Sequence, residues 1–276
     1  MPDRPDPSAA RGLARLYTPP AQRVALAALC ALEAEISASL QPRLDHDVAH
    51  ARLAWWSEEC ARTVAGQPTH PLTRELTALL SARGGRPLAG IGGFVDTAVW
   101  DLAGATFESR RELTAYCGRW CAAFIEPLVL LAAPQVPAEQ TRALGVSLRE
   151  SELLLAVAAD ALHGRLRLPL DELERAGAAP ESLAQPPWTP PLAALLRERY
   201  RAVGDALTNS VDSLAPGARE ALPGIMVWAA LAARHCQRAA SRLPLPPLRR
   251  DPQRLSDGWR AWRVARRAAS GRGLTR

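Results

Sequence analysis

The residues able to do chemistry in this chain are few, and most come in pairs spaced for one face of a helix. In the stretch "LLLAVAADALHGRLRLP" (Leu153–Pro169) an apolar helical run reaches a single acid, Asp160, turns basic and stops at a proline. Carboxylates at i and i+4 share a helical face and can reach one cation together. Asp160 has no such partner: four residues before it stands Ala156, and four after it Gly164. Glu152 lies eight residues upstream, about 12 Å along a helix axis, too far to share an ion with Asp160 directly. Cys117 and Cys121, and likewise His46 and His50, have metal-compatible i,i+4 spacing, but zinc sites close with four ligands and neither pair has a second pair. They read as core thiols and a polar helix face. Asp96 and Asp101 are five apart, about 140° around a helix. Glu58, Glu59, Asp45 and Asp47 read as first-turn or solvated acids.

Composition narrows the classes. The 276 residues are 48% hydrophobic, enough for a substantial core, and carry a formal charge of +6. All 34 cationic side chains are arginine, which excludes Schiff-base chemistry and a P-loop lysine. Arginine forks favour phosphate, diphosphate or anionic-lipid partners. The arginines are dispersed and no aromatic-interleaved basic strand occurs, so nucleic acid is not expected as a partner. No secretory pattern opens the chain, and the apolar runs "LVLLAA" and "IMVWAALAA" are shorter than the roughly 20 residues of a bilayer span. Five cysteines without a paired framework fit a reducing cytoplasm. Abundant Ala, Arg, Pro and Leu suit GC-rich bacterial coding.

The elements that must position these residues are helices. Ala, Leu and Arg dominate, β-branched alternation is scarce, and Gly/Pro clusters punctuate the chain. The pattern predicts helices over Pro20–Leu40, Asp47–Ala65, Pro71–Ser81, Leu88–Ala103, Ser109–Leu131, Pro137–Leu162, Pro190–Ser213 and Gly217–Ser241, with a last one from about Pro252 to Ala269. This predicts one all-α domain with a separable C-terminal helix. In "RLSDGWRAWRVARRAA" the arginines are Arg254, Arg260, Arg263, Arg266 and Arg267. A basic helix carrying tryptophans can lie on an anionic membrane or dock on a partner. Its short apolar face favours the other reading, in which Trp259, Trp262 and Val264 pack on the bundle and the arginines face water.

Three segments together resemble one family. "ARLAWWSEECARTVAGQPTHPLTREL" (Ala51–Leu76) looks like the Arg–Trp-Trp–Glu helix and His-Pro turn of the squalene/phytoene synthases. "ELTAYCGRWCAAF" (Glu112–Phe124) is similar to that family's central Tyr-Cys helix, and Ala143–Gly177 resembles its second acidic-motif helix with the Gly-Arg, Leu-Pro exit. The segments stand in family order, and the resemblance covers roughly Arg15 to Ser241. It implies the isoprenoid synthase fold: a single-domain helical bundle around a central cavity, residues 16–245. Residues 1–15 are then a flexible N-terminus and 250–270 a C-terminal basic amphipathic helix.

The resemblance also implies an activity and a cofactor. Members of the family join two prenyl diphosphates head to head, with Mg²⁺ held by Asp-x-x-x-Asp motifs on two facing helices. Hard cations on carboxylate oxygens neutralise a leaving diphosphate. This sequence departs at those positions. The first motif falls nearest Ser37 and Gln41, and sliding it restores no pair, because Glu33 is followed by Ser37 and Glu35 by Ser39. In the second, Ala156 replaces the first acid and only Asp160 is kept, expected to engage Arg165 or a neighbouring helix. The aromatic residue inside the Gly-Arg signature is replaced by Arg167. Arg52, before the Trp-Trp, and Arg165 keep positions that the resemblance assigns to diphosphate binding, and one of Trp55 and Trp56 is placed to line the cavity.

The reading that follows is a catalytically reduced member that binds a prenyl lipid or acts in assembly, similar to the mitochondrial complex I assembly factor branch, with no cofactor expected. An active Mg²⁺-dependent prenyltransferase, with prenyl diphosphate as its partner, is the alternative. A peripheral membrane protein anchored by the Arg/Trp helix, which could equally meet a protein partner, is the third. The expected location is the cytoplasm, with peripheral attachment to the inner membrane as the variant of that reading.

Overall fold

Prolines and acids mark where the helices begin. A proline at the first helical position gives up no needed hydrogen bond and presets φ, and this chain uses it repeatedly. A computed structural model describes residues 8–41, 44–81, 88–247 and 255–274. In chain order the helices are α1 (Ser8–Tyr17), α2 (Pro20–Ser37), α3 (His46–Val64), α4 (Pro71–Ser81), α5 (Gly93–Leu102), α6 (Arg110–Ala132) and α7 (Ala138–Leu155). They continue with α8 (Val157–Ala161), α9 (Leu170–Arg175), α10 (Pro190–Asp212), α11 (Pro216–Ala221), α12 (Pro223–Arg242) and α13 (Leu255–Ala268). Among the described residues there is no strand. Helices α2, α10, α11 and α12 start on prolines. Helix α3 is capped by Asp45, whose carboxylate accepts the N–H groups of Asp47 and Val48.

Helix α12 is the axis of the bundle. Eight consecutive residues, Ile225–Ala232, are buried, so it is apolar on every side and must be surrounded. It packs against α10, α1, α13 and α7, while α6 pairs with α7, and α2 lies across α4, α5 and α6. The α6–α7 contact is close because Gly145 faces Cys121: a Cβ there would lie 2.2 Å from the sulfur. At the centre Trp120 stacks on Phe124 at 4.9 Å, and Trp228 meets both rings edge-on. Full burial of rings this size contributes about 1.5–3 kcal/mol each, before their mutual contact.

Several expectations change here. The segment expected to be a flexible N-terminus contains α1 from Ser8 onward, with residues 1–7 outside the described residues. Ala10 and Ala14 are buried and Leu13 and Tyr17 packed behind them, a one-sided apolar spacing that docks on α12. The helix predicted from Pro137 to Leu162 breaks at Ala156, whose φ of −94° and ψ of 0° end α7 and begin α8. Helix α6 is continuous through "LVLLAA" and is long and apolar enough to cross a membrane, but most of it is buried inside the bundle, where α7, α5 and α2 consume its apolar surface. Residues 250–254, Arg254 among them, lie outside the described residues. In α13, Val264 packs inward with Ala261 and Ala268 as expected, whereas Trp259 and Trp262 are 59% and 45% exposed. Both indoles point away from the buried alanines, so the small residues make the contact instead.

Candidate functional site

Asp160 is answered by Arg167. The seven residues from the end of α8 to the Leu-Pro stop fold back, and Arg167 Nε donates to Asp160 Oδ2 at 2.8 Å. Its two Nη groups donate to both carboxylate oxygens of Asp101, at 2.7 and 3.1 Å. The Tyr116 hydroxyl lies 3.2 Å from each of those oxygens and donates to them as well. Arg167 is 2% exposed and Asp160 3%, so the clamp is dry. Burial by itself would raise the Asp101 pKa. The Arg167 charge and hydrogen bonds, reinforced by Arg149 and Arg165, overcome that and hold it below the usual carboxylate range.

A second group of acids is answered the same way. Glu33 on α2 accepts from Arg11 at 2.5 Å, from the Trp120 indole at 2.8 Å and from Arg149 at 3.4 Å. Glu152 on α7 accepts from Arg11 at 2.9 and 2.8 Å and from Arg149 at 3.1 Å. The Arg11 guanidinium also lies over Phe124 and Trp228, each ring centroid 4.9 Å away, and over Trp120 at 5.4 Å. Burial again favours the neutral acid at Glu33, and Arg11 and Arg149 override it, lowering its pKa.

Residues of both groups border one small space. Glu33, Ser37, Phe94, Thr97, Asp101 and Arg149 line a space of about 20 Å³, room for roughly one water. The Mg²⁺ ions that the resemblance implies need near-octahedral oxygen ligands at about 2.0–2.1 Å. Here Glu33, Glu152, Asp101 and Asp160 are each already paired with a guanidinium. The residues present do not fit a Mg²⁺ diphosphate site.

The remaining sequence candidates fall in different places. Ser37 lines the small space one turn beyond Glu33. Gln41 lies past the 3₁₀ turn Ala38–Leu40 and is exposed. Ala156 is buried at the α7–α8 break. Arg165 is half-buried; its backbone N–H donates to the Asp160 carbonyl at 2.9 Å, while the Asp160 carboxylate accepts from Arg167 Nε. Arg52 is exposed on α3 and outside this group. Trp56 is buried against His70 at 4.9 Å and Trp55 is 42% exposed, so neither lines the small space. Asp96 is exposed, on the far side of α5 from Asp101. Cys117 and Cys121 are fully buried, and burial pushes the Cys121 thiol up to about 12. His46 and His50 meet at 3.0 Å on the surface, and no group of three potential ligands forms among the described residues. Sequence reasoning missed Arg11 and Arg149. The i,i+3,i+4,i+7 apolar spacing of Ala10, Leu13, Ala14 and Tyr17 is the signal that brings Arg11 onto the bundle.

No curated protein matches the chain. Among solved structures, a dehydrosqualene synthase in complex with ligand superposes with a TM-score of 0.78 at 17% identity, over 95% of this chain and 91% of that one. Squalene synthase HpnC from Alicyclobacillus acidocaldarius gives 0.65 at 20% identity, over 86% and 89%. Both carry the all-α isoprenoid synthase fold described above. At sequence level, the family description for squalene/phytoene synthase matches residues 5–254, nearly the whole chain including α1, and on that match the chain belongs to the squalene/phytoene synthase family.

Proposed function

We propose that this chain is a non-catalytic squalene/phytoene synthase-like protein, in which fixed arginines have taken the place of the metal ions and the protein serves as a binding or assembly scaffold. The observation that carries this reading is the Arg167 clamp on Asp101 and Asp160. A cation built into the chain neutralises the acids permanently, and a guanidinium cannot migrate with a leaving diphosphate as a metal ion does. With about 20 Å³ of space beside it, the scaffold role is favoured over storage of a prenyl chain. In this reading the protein works in the cytoplasm and needs no cofactor.

The test is incubation of the purified protein with farnesyl or geranylgeranyl diphosphate and Mg²⁺, following pyrophosphate. The expected result is no release above the blank, for wild type and Asp160→Ala alike. Turnover that disappears in Asp160→Ala overturns the proposal in favour of a prenyltransferase. Thermal melts with the same diphosphates and no metal separate the two non-catalytic roles. A filled interior gives no stabilisation, whereas a rise in midpoint that Arg165→Gln abolishes assigns prenyl-ligand binding.

A further inference from the structure

The outward face of α13 bears a stripe that is exposed among the described residues. Leu255 is 96% exposed, and Trp259 and Trp262 follow at i+4 and i+7 on the same side. Arg263 lies over the Trp259 ring at 4.6 Å and Arg266 over Trp262 at 5.1 Å, so each indole carries its own guanidinium. The acid of this helix is turned the other way. Asp257 is buried and held by Arg234 at 3.1 Å, by His235 and by Arg238 on α12. That clasp docks α13 on the bundle and leaves its exposed side with cations, indoles and no carboxylate. Arg260, at the edge of the stripe, is held below the usual guanidinium range by partial burial and then by the charges of Arg234 and Arg263.

We infer that this face docks on the surface of an anionic lipid bilayer, with α13 lying in the plane of the headgroups. Indoles settle at the headgroup level, where their apolar body and polar N–H are both satisfied. An interfacial helix buries its apolar side only about 5–10 Å deep, which suits three residues on one stripe. The arginines supply the second signal that stable attachment needs. A second copy of the chain is the poorer occupant: pairing this face with itself opposes arginine to arginine, with no acid to relieve the repulsion. The inference stands apart from the state of the interior site.

Flotation of the full chain with vesicles of phosphatidylcholine, alone or mixed with phosphatidylglycerol, tests it. Binding is expected to the mixed vesicles only, and to fall as salt rises from about 0.1 M to about 1 M and the Debye length shrinks from about 10 Å to about 3 Å. Each arginine near an anionic surface contributes roughly fivefold in partition, so Arg263→Gln/Arg266→Gln is expected to lose about 25-fold. Trp259→Ser/Trp262→Ser is expected to abolish flotation while leaving the melting midpoint unchanged, because both side chains are outside the core. The two pairs are independent, so if one variant fails to fold the other still decides. Equal binding to both vesicle types, no binding to either, or variants that float like wild type overturn the inference. So does a concentration-dependent dimer, in size-exclusion chromatography with light scattering, that the tryptophan substitutions dissolve.

Discussion

A guanidinium that is 2% exposed is tolerable only where carboxylates meet its donors, and Arg167 meets two. Removing one member of such a group costs more than the group contributes, since it strands the others uncompensated in a dry site; the usual cost is about 3–5 kcal/mol. Arg167→Met should therefore lower stability by about that amount in urea or thermal unfolding. Adding Asp101→Asn and Asp160→Asn to the same chain should restore most of it. A triple variant no better than Arg167→Met would show that the loss comes from packing and not from stranded charge. Part of this is legible beforehand: the lone acid is expected to engage a nearby arginine, Arg165, and it is Arg167, standing where the family places an aromatic, that takes its carboxylate. What no local pattern carries is Asp101, 66 residues away, because the bidentate contact is made by the packing of α5 against α6 and by the return of the chain after α8.

Elements were easier to read than their ends. Prolines, glycines and apolar periodicity place most long helices to within a few residues, because each of those signals acts over one or two turns, but the single helix predicted over Gly217–Ser241 divides at Leu222 into α11 and α12. The α7–α8 break at Ala156 carries no such punctuation, whereas α1 is marked only by the apolar spacing of Ala10, Leu13, Ala14 and Tyr17, through which it docks on α12. One interelement contact yields a pH prediction. Glu59, fully buried on α3, accepts the N–H groups of Thr69 and His70 and the hydroxyls of Thr69 and Thr73, and so fixes the entry to α4. Burial would raise its pKa, but these four donors pull it from 4.5 to about 2. A carboxyl whose pKa is lower when folded contributes stability that is complete above its unfolded value and is lost as pH falls through the folded one. From 4.5 to about 2, that contribution is on the order of 3 kcal/mol. Glu59→Gln should be less stable than wild type at pH 7, and the gap should close between pH 4.5 and about 2. The comparison must be with wild type at each pH, because burial pushes Glu150 and Glu172 up and their effect runs the opposite way. A gap that is constant over that range would remove the carboxylate from the account and leave only the shape of the side chain.

At the scale of the whole molecule, arginine is the solvent of the acidic interior. A chain without lysine answers its inward-facing acids with planar forks that stay charged at every accessible pH and bind carboxylates bidentately. Arg11, Arg149 and Arg167 compensate Glu33, Glu152, Asp101 and Asp160, with Arg165 contributing its charge from the edge. Arg110 and Arg199 pair with Glu150 on the α10 side, where burial outweighs them and keeps the acid's pKa raised. Helices α1, α2, α5, α6 and α7 are thereby joined by charge as well as by apolar contact, and the joining cations belong to the chain. Folding should then be indifferent to divalent metal. A bound ion at 100 times its dissociation constant adds about 2.7 kcal/mol, which in a chain of this size raises the melting midpoint by roughly 5–10 °C. With each site acid already holding a guanidinium, Mg²⁺ would first have to displace an ion pair, and its gain is cancelled by the charge it strands. Melts in Mg²⁺ and in chelator should coincide to within about 1 °C, well below the shift expected of a metal-dependent bundle. A rise of several degrees in Mg²⁺, absent in Asp160→Ala, would mean that the arginines yield to metal and that the clamp is a resting state of a working site.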